Sequence, residues 1–76
     1  MSAPTNSLRR METVAREIDP GKEWEVGTRE SGGPVTVLGR VRVATFGVFA
    51  AYRLHPDYAD SAHHSWIDAV HAIVAP

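Results

Sequence analysis

The chain is 76 residues long, carries eight basic against nine acidic side chains for a formal charge of −1, and contains no cysteine. That length describes one small domain, which buries only about 60% of the surface its unfolded chain exposes. The missing cysteine excludes disulfides, thiolate metal sites and thiol catalysis, so a thin core must be reinforced by packing, by a His/Asp metal site or by oligomerisation.

The longest run without a charge, Val43 to Tyr52, is about half of the ~20 residues a membrane span needs. The opening Met1-Ser2-Ala3-Pro4 lacks the basic-then-apolar pattern of a signal peptide. The expectation is a cytoplasmic protein with no membrane contact. Lys22 is the only lysine beside seven arginines, and glutamine is missing. That bias suits a GC-rich genome, such as an actinobacterium-like host or one of its phages.

Residues 1–6 are small and polar and read as a flexible tail ahead of one α+β domain over residues 7–76. From Ser7 the pattern turns helical, with Leu8, Met11, Val14, Ala15 and Ile18 inside one arc of ~120°. Asn6 or Ser7 supplies the cap, and Glu12 and Arg16 stand in the favourable i,i+4 order. Asp19-Pro20-Gly21 ends the helix, because the residue before a proline is pushed out of the α region. Trp24, Val26 and Thr28 then alternate with Glu23, Glu25 and Gly27, the period of a half-buried strand. Ser31-Gly32-Gly33-Pro34 makes a turn, and Val35, Val37, Val41 and Val43 alternate with Thr36, Leu38, Arg40 and Arg42 on the return.

A loop of those four residues sets Trp24 opposite Val41, Val26 opposite Gly39 and Thr28 opposite Val37 on one side. On the other side Glu25 faces Arg40 and Glu23 faces Arg42. A slip of one residue would bury the arginines and separate both charge pairs, so the apolar and charge patterns agree on one register. Continuing this strand to Leu54 would make it ~66 Å long, too long for the domain. A break is therefore expected between Ala44 and Gly47, with a third strand from Val48 to Leu54, a short helix being the alternative. His55-Pro56-Asp57 starts a last helix, proline being tolerated at the first helical position. Tyr58, Ala62, Trp66, Ala69, Val70 and Ile73 gather on one side of it, and Asp57, Asp60, His64, Asp68 and His71 on the other. The expected fold is α+β: a small αβββα domain with two helices packed on one face of a three-stranded antiparallel sheet.

This element order, with Gly33-Pro34 in the first hairpin loop, resembles the double-stranded-RNA-binding domain. The resemblance implies the αβββα topology. For RNA contact it also implies a histidine two residues beyond the proline and a basic cluster opening the last helix. Thr36 stands in the first place and Pro56-Asp57-Tyr58-Ala59-Asp60 in the second, so no RNA-binding residue carries over.

Three surfaces carry functional expectations. The first is the strand at 47–54, apolar on both sides and uncharged before Arg53. As an outer strand, its Val48, Phe49, Ala51 and Tyr52 form an unguarded edge that a protein partner or a second copy would complete, the alternative being a central strand tucked under the helices. The second is a nucleic-acid surface on Arg40, Arg42 and Arg53, weakened by the carboxylates of Glu23 and Glu25 facing two of these arginines. The third is a metal site at His64 and His71, two turns apart on the polar side of the last helix. Ser61, His63, His64, Ser65 and Asp60 crowd together in sequence but fan around that helix, so a nucleophile and its base do not converge. The function expected is a small non-enzymatic interaction module without a cofactor, in the manner of a phage or mobile-element accessory protein.

Overall fold

The structure is a computed structural model that describes residues 11–75. The expected tail at 1–6 and the start of the expected first helix at 7–10 lie outside the described residues. The described chain forms strands β1 (Met11–Asp19), β2 (Glu23–Glu30), β3 (Thr36–Thr45), β4 (Val48–Arg53) and β5 (Ser61–His63), then helix α1 (Trp66–Val74). The strands make one antiparallel sheet in chain order, each hydrogen-bonded to its sequence neighbours. This corrects the αβββα expectation: five strands replace three, and one C-terminal helix replaces two. The topology of the double-stranded-RNA-binding domain is excluded with it.

Turn chemistry explains the correction at the first helix. Lys22 N–H donates to the Asp19 carbonyl at 2.9 Å, and Gly21 takes φ +70°. Proline at the second position and a left-handed glycine at the third are what a type II β-turn demands, so Asp19-Pro20-Gly21 turns a hairpin instead of ending a helix. The Glu17 carboxylate accepts from Gly21 N–H at 2.8 Å and fixes the corner. Beyond it β1 lies along β2 with Arg16 opposite Glu25 and Glu12 opposite Arg29. These cross-strand pairs outweigh the i,i+4 pairing that a helix would offer Glu12 and Arg16.

The same substitution of turn for helix occurs at Pro56. Tyr58 N–H donates to the His55 carbonyl at 3.2 Å, and Pro56 occupies the second position of that turn. Ser61–His63 then pairs with β4, setting Phe49 opposite His63, Ala50 opposite Ala62 and Ala51 opposite Ser61. The helix waits for Ser65, whose hydroxyl caps it by accepting from Asp68 N–H at 3.1 Å.

The central hairpin has the deduced register from Glu23 to Val26: Glu23 faces Arg42, Trp24 faces Val41, Glu25 faces Arg40 and Val26 faces Gly39. A bulge follows, so Gly27 faces Val37 and Thr28 faces Thr36 instead of Val37. The break between Ala44 and Gly47 is also present, as a Phe46-Gly47 turn with Gly47 at φ +78°.

One face of the sheet receives α1. Val26, Val41, Ala51, Ala69, Val70 and Ile73 form the buried cluster, with Trp24, Phe49, Leu38 and Trp66 packed around it. The Trp24 ring lies 6.4 Å from that of Phe49 and meets Trp66 edge-on at 5.9 Å, the separations at which aromatic rings attract. Gly39 is the seat of the helix, since a Cβ there would collide with the Tyr52 carbonyl and crowd Cγ2 of Ile73 at 3.1 Å. Full burial of the Ile73 side chain contributes about 1.5–3 kcal/mol.

Candidate interaction surface

Strand alternation sorts the candidate residues onto two faces. Arg53 lies opposite Gly39 and so faces the helix, whereas Tyr52 lies opposite Arg40 and faces away. One Arg53 guanidinium nitrogen donates to the Ile73 carbonyl near the end of α1, and the group stacks 4.2 Å from the centre of the Tyr58 ring. Arg53 is thus a clamp between β4, the turn and the helix. It does not share a face with Arg40 and Arg42, and the three do not form one basic surface.

The β4 residues divide in the same way. Phe49 and Ala51 point into the helix-side core, while Val48 and Tyr52 belong to the opposite face. Because β5 pairs with Phe49, Ala50 and Ala51, this stretch is an inner strand. The expectation of an outer strand there is corrected: β5 pairs with β4 from Phe49 to Ala51.

The histidine face does not assemble. His64 precedes α1, His71 is exposed on it, and Asp60 stands before β5, so these residues do not line one helix. Among the described residues no group of three His, Cys, Asp or Glu side chains converges on a metal position. Ser61 Oγ and His63 Nε2 do approach to 2.8 Å, two residues apart on one side of β5. A nucleophilic triad also needs a group orienting the other imidazole nitrogen, and among the described residues no carboxylate hydrogen-bonds it.

The face turned away from α1 carries a different pattern. Arg16 pairs with Glu25 at 2.9 Å, Arg29 with Glu12 at 3.1 Å and Arg40 with Glu23 at 3.3 Å. The last contact is diagonal, because Arg40 reaches past its direct opposite, Glu25, which Arg16 already holds. Between these pairs lies a shallow depression lined by Val14, Gly27, Val35 and Val37 and rimmed by Arg16 and Glu25. Among the described residues no second layer covers this face.

Sequence reasoning reached Glu23, Glu25, Arg40 and Arg42 but missed Glu12, Val14 and Arg16 as sheet residues. The signal was present in Asp19-Pro20-Gly21-Lys22, which as a hairpin turn sets Glu12 beside Arg29 and Arg16 beside Glu25. Among the described residues no helix is long and apolar enough to cross a membrane. No protein-family model, curated protein or solved structure matches the chain.

Proposed function

We propose that this chain is a small non-enzymatic module that acts by contact with protein, through the open sheet face and the β1 edge bordering it. The observation that supports this reading is the open face itself: charges neutralised in cross-strand pairs around an apolar depression, with no covering layer among the described residues. A face of mixed, paired charge suits a protein surface better than phosphate, because the carboxylates beside Arg16, Arg29 and Arg40 cancel the positive field that nucleic acid requires. Val48 and Tyr52 remain part of this contact surface. Phe49 and Ala51 support it from beneath. The preference for arginine over lysine keeps a phage or mobile-element accessory role as the setting of this proposal.

A photo-crosslinking residue placed at Tyr52, on the open face, tests the reading against the same residue placed at His71 on the exposed side of α1. Irradiation in cells of the source is expected to give a discrete protein adduct from position 52 and none from position 71. Equal labelling from both, or a nucleic-acid adduct from position 52, would overturn it.

A further inference from the structure

The sheet has two ends of unlike design. At one end β5 is three residues long and runs directly into the helix, and short edge strands of this kind discourage further pairing. At the other end β1 is nine residues long, and among the described residues no strand lies beyond it. From Met11 to Glu17 its pairing to β2 is regular, with the first irregularity falling between Glu17 and Asp19. That stretch contains neither proline nor lysine. The charges it presents on the open face, Glu12 and Arg16, are of opposite sign, so they repel a mismatched strand and leave a complementary one free to pair.

We infer that β1 is completed by β1 of a second copy, antiparallel and centred on Val14, to give one continuous sheet across the dimer. The inference rests on the contact reading above and names its partner. A two-fold axis normal to the sheet keeps the same face upward in both copies, so directly opposed residues must lie on the same face. This restricts the registers to those that match like faces, and charge selects among them. Centring on Val14 sets Glu12 against Arg16 of the other copy, Val14 against Val14 and Arg16 against Glu12. Centring one residue to either side opposes a charged residue to Val14 or Val14 to a charged residue. Centring two residues to either side sets Glu12 against Glu12 or Arg16 against Arg16, which is destabilising.

Among the described residues the register at Val14 also gives every residue from Met11 to Glu17 an opposite. It joins the intramolecular pairs into alternating rows, in which Arg40, Glu25 and Arg16 of one copy run on into Glu12 and Arg29 of the other. The two apolar depressions meet at Val14, so the dimer carries one continuous apolar groove of twice the length.

Reciprocal charge reversal tests this arrangement. Glu12→Arg sets arginine against arginine across the axis, and Arg16→Glu sets glutamate against glutamate. Sedimentation is expected to show the unaltered chain as a dimer, each variant alone as a folded monomer by circular dichroism, and the equimolar mixture as a heterodimer in which both contacts are again of opposite sign. Two monomeric variants that stay monomeric on mixing, or variants that dimerise as well as the parent, would overturn the inference. A monomeric parent that still gives a protein adduct from position 52 removes the self-pairing and leaves the contact reading standing. Absence of both removes both.

Discussion

The two faces of this sheet are held by opposite means. Toward α1 the surface is apolar and fitted, with Val26, Val41 and Ile73 fully buried and Gly39 emptied of a side chain so that the helix can seat. Away from α1 the side chains are charged, substantially exposed and matched in sign across strands. Exposed ion pairs contribute only about 0.2–1 kcal/mol each. Packing on the helix side therefore supplies most of the stability, and the open face contributes register and complementarity. A chain that must fold on a core this small can spend one face of its sheet on recognition because the other does the folding.

Substitutions can break or sharpen that contrast. The largest expected effect is at the seat of the helix. Gly39→Ala should lower stability by about 1–3 kcal/mol in denaturant unfolding, because the Tyr52 carbonyl cannot retreat without disturbing the β3–β4 pairing, nor Ile73 without lifting α1. An unchanged midpoint would mean that the β4 backbone and the helix do not close on Gly39. On the open face, Arg40→Gln removes the contact to Glu23 and should cost only about 0.2–1 kcal/mol, with that small difference reduced further at high salt. A loss as large as that of Gly39→Ala would show that the open-face pairs carry the fold.

What the sequence disclosed follows the same division. The β2–β3 register was legible because two independent patterns, the alternating valines and the Glu/Arg pairs, agree on it, and it is found from Glu23 to Val26. The bulge beyond was missed although Gly27 and Gly39 stand inside the strands beside it, the residue type that marks a bulge or a close backbone approach. The flanks were misread at their prolines. Pro20 and Pro56 each fit a helix boundary as well as the second position of a β-turn, and the choice between them depends on pairing partners distant in sequence. For β1 the decisive partners are Glu25 and Arg29; for β5 they are Phe49 to Ala51. Apolar spacing over Leu8 to Ile18 suggested a helix because β1 has no cleanly apolar face: Glu12 and Arg16 interrupt one side, Thr13 and Glu17 the other. The same mixed pattern made β1 invisible as a strand and gives it a self-complementary edge.

The most direct test of that edge uses the absence of cysteine from the chain. Val14 is the one position of β1 that meets itself across the proposed axis, where opposed Cα atoms of an antiparallel pair are about 4.5–5.5 Å apart and within disulfide range. Val14→Cys should therefore oxidise to a covalent dimer that retains the parent circular dichroism spectrum. Thr13→Cys, whose two copies would be separated by the diagonal spacing of roughly 7–8 Å, should form no covalent dimer under the same oxidation. Equal cross-linking of the two variants, or none from Val14→Cys, would contradict the paired β1 edge on which the account rests.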